Sequence, residues 1–477
     1  MSRLVNHPVH KQAVLRGDIR VRVCLKGTED WREIYVYNIK VNMHDVQCAS
    51  MAYFDFIGEV LVEISGPWYI YQADIRPLSR KIEYSCDTKT LRFILSEPAN
   101  LSIELNKDRN HNLHLFAGRV EEDVPSRDKA DTLVVKGNLS GYSSFGNELI
   151  KELEEMPAGR TLFLEPGIHF VRENIFTVPS DTDIYLAGGC ILIGGIVCSG
   201  TENIHIYGRG IIYQADFQRY SGINGIRLSN VSNILIEDII FINPPHYTIY
   251  IGGSQDIVIN NIKAFSCEGW SDGIDIMSSE NIRIQGGFLR NSDDCIAIYG
   301  SRWKYRGDSR NITVKGLVVW ADVAHPLNIG THGNHEENGD FIENITFEDI
   351  DILEHNEYQA GYLGCMAINP GDKNTVRNIC YKNIRIEPFI HGKLLDFQVK
   401  YNPDYNPAPG RRIEHVYLKD IYYNGINEVT SMIRGYNEEY YVENIVVENL
   451  VINGERIKSV EEANIEIGEY AYNIKIV

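Results

Sequence analysis

One short phrase recurs along most of the chain. An Asn, once an Asp and once a His, is followed by alternating apolar and polar residues. It reads "NIHIYG" at 203, "NILIED" at 233, "DIVINN" at 256, "NIRIQG" at 281 and "NITVKG" at 311. It returns as "NITFED" at 344, "NICYKN" at 378, "HVYLKD" at 415, "NIVVEN" at 444 and "NIKIV" at 473, with starts 23 to 37 residues apart. Self-similarity at that period means each unit buries its apolar side by stacking on its neighbours, which is the logic of a solenoid. Period-2 alternation with β-branched residues makes each unit a set of short strands. One coil of a parallel β-helix takes about this many residues, with any surplus leaving as loops. The recurring Asn is expected in a tight turn, where it tolerates left-handed backbone and meets its equivalents on adjacent coils. A leucine-rich repeat would need a strict L-x-x-L-x-L consensus and a near-constant period, and the chain has neither.

Residues ahead of the repeats follow another pattern. "IRVRVCL", "WREIYVYNIKV", "EVLVEIS", "LRFIL" and "LHLFAG" alternate like strands and are separated by turn residues, as in an antiparallel β-sandwich. The polar stretch "GRVEEDVPSRDKAD" at 118–131 serves as linker, and "GNELIKELEEMPAG" carries a short amphipathic helix over 146–156 that caps the open end of the solenoid. The expected fold class is all-β: an N-terminal antiparallel β-sandwich over 1–120, then a right-handed parallel β-helix over 121–477.

Composition narrows the partners. Acidic residues outnumber basic ones 65 to 46, a formal charge of −19, which argues against nucleic acid and anionic membrane. No segment approaches the ~20 apolar residues of a membrane span, and the N-terminus lacks a signal-peptide core. Nine scattered cysteines without a CxxC pair suit free thiols in a reducing compartment. A cytoplasmic location is therefore expected.

The stretch "WSDGIDIMSSENIRIQGGFLRNSDDCIAIYG" places Asp272 and Asp275 near one end and the tandem Asp293-Asp294 near the other. Asp272 and Asp293 are 21 residues apart, close to one coil. Residues one coil apart lie about 4.8 Å above one another. Allowing for loops, three consecutive coils bring Asp272, Asp293 with Asp294, and His325 into one column on one face. Stacked carboxylates repel and raise one another's pKa, which suits a division of labour between a protonated and an ionised acid. An inverting glycosidase needs that division: a protonated carboxyl for the leaving oxygen and a carboxylate that activates water. Adjacent strand residues face opposite ways, so Asp293 and Asp294 can share a cleft only where the strand is irregular.

"SDGID", "SDDCIAI" and "AHPLNIG" together resemble the polygalacturonase family of glycoside hydrolases (family 28 type), whose pattern runs N-T-D-G, D-D-C-I-A-I, G-H-G-L-S-I-G. The related dextranase and isopullulanase family shares the fold, the three acids and a β-sandwich before the solenoid. The resemblance implies that Asp293 is the general acid, that Asp272 and Asp294 hold and deprotonate the water, and that His325 supports the acid and the sugar. It implies no cofactor and no metal.

The departures bear on substrate. Ala367-Ile368-Asn369 stand where the family carries an R-I-K grip for the uronate carboxylate, and Tyr299 replaces the Lys that follows D-D-C-I-A-I. An anion desolvated without its cations is costly, so a neutral sugar is expected, with Asn369 bonding a hydroxyl. Arg302, Lys304 and Arg306 beside Trp303 and Tyr305 form a candidate sugar platform that can supply charge from elsewhere. Lys400, Tyr247 with His246, Asp396 and Arg434 are further candidates for the subsites. His332, His335, Glu336 and Glu337 read as a solvated loop. The expected activity is inverting hydrolysis of a plant- or microbe-derived oligo- or polysaccharide, with exo action on imported oligosaccharides. Two other classes fit the fold. A lyase would need a calcium-binding acid cluster and a basic Arg or Lys that the column lacks; a non-catalytic glycan-binding solenoid would point its acids into turns.

Overall fold

The computed structural model describes residues 2–477. Residues 3–119 form two sheets packed face to face. One contains Val36–Val41, Gln47–Ile57, Ala99–Leu105 and Leu113–Arg119; the other contains Arg20–Leu25, Val60–Ser65 and Thr90–Leu95. Alternate residues of both, among them Val21, Val62, Phe54, Leu101 and Leu115, interdigitate in a common core. Hairpin neighbours pair antiparallel. Leu113–Arg119 departs by running parallel to Gln47–Ile57, with Leu113 opposite Ser50, because the intervening chain crosses between the sheets.

From Thr132–Val135 to Ala471–Ile476 one sheet of 31 strands winds continuously in parallel, interrupted only near its end by the small hairpin of Val442–Ile452 with Glu455–Arg456. A typical coil contains Ile274–Met277, Glu280–Gln285 and Phe288–Asn291, separated by turns. Equivalent residues meet in register: Ile226, Ile249, Ile274, Ile296, Leu327, Met366 and Leu395 form one unbroken interior ladder. All seven are buried, and side chains of that size contribute roughly 1.5–3 kcal/mol each.

The repeated Asn fixes the corners. All ten phrase starts, including Asp256 and His415, have φ between 53° and 58°. Side-chain amides link successive coils: Asn233 donates to Asn203 at 2.8 Å, Asn281 to Asp256 at 3.0 Å, and Asn311 to Asn281 at 3.2 Å. A second corner repeats the device, with Asn261 donating to Asp238, Asn383 to Asp349 and Asn449 to Asp420.

The cap helix spans Leu149–Glu155, shorter at its start than expected because Asn147 and Glu148 form the preceding turn. Its buried Leu153 joins Phe145 and Leu162 at the first coil. Among the described residues, no helix is long and apolar enough to cross a membrane.

The sandwich covers one outer face of the solenoid. Tyr37, Ile39, Val41, Met51 and Phe116 pack against Ile240, Phe265, Phe288 and Trp320, which explains why those outward-facing residues are apolar. One charged group trapped there is fully partnered. Fully buried Arg290 bonds Asp322 at 2.9 Å, Asn112 at 2.9 Å and His114 at 3.1 Å while stacking on Trp320.

Candidate active site

Register decides which acids stack. Ile274, Ile296 and Leu327 pair in sequence, so the residues two positions upstream (Asp272, Asp294 and His325) occupy one column, and Tyr247, two before Ile249, extends it. Backbone bonds follow the same column: Thr248 N–H to Asp272 at 2.8 Å, Gly273 N–H to Asp294 at 2.8 Å, Cys295 N–H to His325 at 2.9 Å. The residue stacked on Asp272 is thus Asp294, and the 21-residue spacing to Asp293 misses by one. Asp293 lies beside the column, in the bend between Phe288–Asn291 and Ile296–Tyr299. That bend supplies the irregularity needed for both members of the tandem to face one cleft.

Each acid is held differently. Asp293 Oδ2 accepts from the Trp270 N–H at 2.9 Å, and its Oδ1 from the Asp294 N–H at 3.1 Å. Asp294 Oδ1 receives both the His325 N–H at 3.0 Å and ring Nδ1 at 2.7 Å, while its Oδ2 receives the Asn328 amide at 2.7 Å. His325 Nε2 faces the Tyr362 carbonyl at 2.8 Å, so acceptors at both nitrogens favour the imidazolium. One carboxylate oxygen from each of Asp272, Asp293 and Asp294 lies within 4.8 Å of the others.

These environments separate the protonation states. Burial and the neighbouring Asp294 charge push Asp293 up to about 6. Burial pushes Asp294 the same way, but His325 and Asn328 outweigh it and hold that carboxyl below the usual range. His325 is raised to about 9: burial opposes its charge and Asp294 more than compensates. Burial, then Asp275, Asp293 and Asp294, drives Asp272 well upward. Buried Asp272, Asp275 and Asp294 and half-buried Asp293 stand together, so the charge on each affects the ionisation of the others. The oxygens of Asp272, Asp293 and Asp294 are also grouped closely enough to hold a cation.

The acids line a cleft of about 780 Å³ together with Tyr247, Tyr299 and Arg302. Arg302 lies over the rings of Tyr299, Trp303 and Tyr247 at 4.7, 5.0 and 5.5 Å, with Nη1 3.7 Å from Asp275 Oδ2. Burial works against its charge, but Tyr247, Tyr299, Asp275 and Asp272 together raise its pKa. A cation therefore stands in the cleft, although none stands at 367 or 369. Trp303 stacks on Tyr247 and lines an adjoining groove of about 280 Å³ with Arg306.

Other expected contacts fall elsewhere. Asn369 is buried, and its amide is used by the Ile368 and Asp396 carbonyls, which places it behind the wall and not on it. Lys400 sits behind Tyr362, its Nζ 5.3 Å from that ring. Asp396 is bound to Lys393 at 3.1 Å, and Arg434 faces Glu469 at 3.7 Å; neither lines the cleft. Lys304 lies over Tyr305. His332, read as part of a solvated loop, lines the cleft and meets Tyr299 edge-on.

Several lining residues carried no sequence signal: Arg219 stacked 4.2 Å over half-exposed Trp270, Tyr405 with Gln359, and Met43 with His44 from the sandwich. Trp270 alone, two residues before Asp272, was within reach of sequence reasoning.

The sequence model of the family described as "Glycosyl hydrolases family 28" matches residues 214–434, a span holding the four column residues and the tandem. Over that stretch the solenoid resembles glycoside hydrolase family 28. Similar curated proteins include exopolygalacturonase X-2 of Emericella nidulans, 24% identical over 298 residues, covering 56% of this chain and 61% of that protein. Another is the probable endopolygalacturonase D of Neosartorya fischeri, 28% identical over 195 residues, covering 39% and 35%. The chain spans less than two thirds of the length of either. Among solved structures, Dex49A from Penicillium minioluteum has a TM-score of 0.63 at 14% identity, covering 99% of this chain and 96% of that one. The family 28 exopolygalacturonase of Yersinia enterocolitica has a TM-score of 0.51 at 10% identity, covering 88% and 96%. Both likenesses concern the fold; the first extends it over sandwich and solenoid together.

Proposed function

We propose that the protein hydrolyses a glycosidic bond of an oligo- or polysaccharide with inversion at the anomeric carbon. Asp293 gives its proton to the glycosidic oxygen as the C–O bond breaks. Water held between Asp272 and Asp294 attacks the opposite face of the sugar and loses its proton to Asp294, the acid held ionised. His325 keeps Asp294 ionised and oriented. The observation that carries this reading is the opposite tuning of adjacent acids, Asp293 upward to about 6 and Asp294 downward. Titratable neighbours pushed apart are the mark of separate acid and base roles.

A second reading has a specific observation behind it. One oxygen from each acid lies within 4.8 Å of the others, a close approach that a retaining pair, with carboxyl groups roughly 5–5.5 Å apart, would also allow. Three converging acids, of which one is held ionised, favour a held water over a covalent intermediate. A lyase is disfavoured because Arg302 beside Asp275 is held charged and is a poor proton acceptor.

The substrate is not the standard galacturonan chain in its usual grip, since Ala367 and buried Asn369 offer no cation. A wholly neutral sugar has lost its main argument, because Arg302 stands in the same cleft. Incubating the wild type and Asp293→Asn with neutral and uronic oligosaccharides, and measuring reducing ends, tests the reading. Wild-type cleavage that the substitution abolishes supports it, and full activity of Asp293→Asn sinks the mechanism.

A further inference from the structure

The hairpin joining Val36–Val41 to Gln47–Ile57 belongs to the sandwich, yet its tip is seated beside the acids. Asn42 takes left-handed backbone, φ 61°, and its side chain accepts the His44 N–H at 3.1 Å, which closes a tight turn. Two backbone donors then reach the solenoid: Asn42 N–H to Asp322 Oδ2 at 3.2 Å, and Met43 N–H to Ser292 Oγ at 3.1 Å. Ser292 immediately precedes Asp293, and Asp322 lies three residues before His325. Both anchors are themselves fixed. Ser292 donates to the Ser266 carbonyl at 3.1 Å, while Asp322 is gripped by Arg290 and by Trp320 Nε1 at 2.9 Å.

A hairpin that only docked one domain on another would bury its tip. Here Met43 is half-buried, His44 is exposed, and both residues line the cleft that also contains Trp270, Asp272 and Asp293. Trp270 offers a half-exposed indole backed by Arg219. A thioether and an imidazole in the same cleft as such a ring suit a pyranose, which presents apolar C–H faces and hydroxyl edges.

We propose that Met43 and His44 of the sandwich form a sugar-binding wall of the catalytic cleft, making substrate specificity the property of two domains. The proposal rests on the glycoside-hydrolase reading. The two fail in different ways.

The test uses the full-length protein and a panel of neutral and uronic tetrasaccharides. First, hydrolysis by the wild type is measured. Then Asp293→Asn, labelled with methyl-13C methionine, is titrated with each tetrasaccharide, the Met43 signal being assigned among the seven methionines by Met43→Leu. The expected result is that the Met43 methyl shifts with the cleaved tetrasaccharide. In Met43→Ala/His44→Ala, KM should rise about tenfold while kcat changes by no more than about threefold, at an unchanged melting temperature. Cleavage with a motionless Met43 signal and an unchanged KM overturns the wall alone. A fall in kcat at constant KM also overturns it, assigning the hairpin to holding the Asp293 segment. Cleavage of no tetrasaccharide by the wild type overturns the hydrolase reading, and the wall with it.

Discussion

His325 gives Asp294 two hydrogen bonds to the same oxygen, from its backbone N–H at 3.0 Å and its ring Nδ1 at 2.7 Å. One residue thus fixes both the direction and the charge of the carboxylate stacked on Asp272. Asp293, one position earlier, bonds only to backbone N–H groups and remains the proton carrier.

Replacing His325 with Ala should lower kcat by about 10²-fold or more, because Asp294 loses the partner that holds it ionised. Glycan binding should weaken far less than turnover. Steady-state kinetics on the cleaved oligosaccharide, read as kcat and KM separately, checks this.

Asp293 at about 6 sets the alkaline side of the pH profile. As the acid it must carry its proton, so kcat/KM should fall with unit slope as pH rises above about 6. An alkaline limb two units higher, measured from about pH 4 to pH 8, would assign the acid to another member of the group.

Asp272 has its folded-state pKa raised by burial and by three acidic neighbours. An acid raised on folding takes up a proton, so its penalty on stability is absent below its unfolded pKa and grows as pH rises above it. Asp272→Asn should therefore melt about 1–3 °C higher than the wild type at pH 8, with the gap closing near pH 4. Thermal melts at the two pH values check the sign.

The corner asparagines make a separate prediction about the fold. Asn344 has φ 58° and lies between Asn311 and Asn378 in the amide ladder. Asn344→Ala should cost about 1–2 kcal/mol more than Asn344→Gly, because only glycine tolerates that backbone freely. Chemical denaturation of both variants gives the difference.

The repeat made the solenoid legible, since the phrase starts are the left-handed corners and their alternation is the interior ladder. The acids were legible for the same reason, down to one residue of register: a loop-corrected spacing cannot separate Asp293 from Asp294, whereas paired Ile274 and Ile296 do so at once. Asn369 illustrates the opposite case. Its sequence position matches a ligand-facing residue, but its amide turned inward to satisfy the carbonyls of Ile368 and Asp396. Met43 and His44 lie more than two hundred residues from the acids and depend on how the sandwich docks, so no local pattern marked them. Tyr362 and Tyr405 entered through long loops whose path the period does not govern.

In the proposed mechanism one held water attacks in a single displacement while Asp293 protonates the leaving oxygen. Proton NMR of the earliest product, recorded before mutarotation, measures it most directly. The expected product has a reducing end whose anomeric configuration is opposite to that of the cleaved linkage. The same configuration, or an unsaturated product absorbing in the ultraviolet, would contradict it.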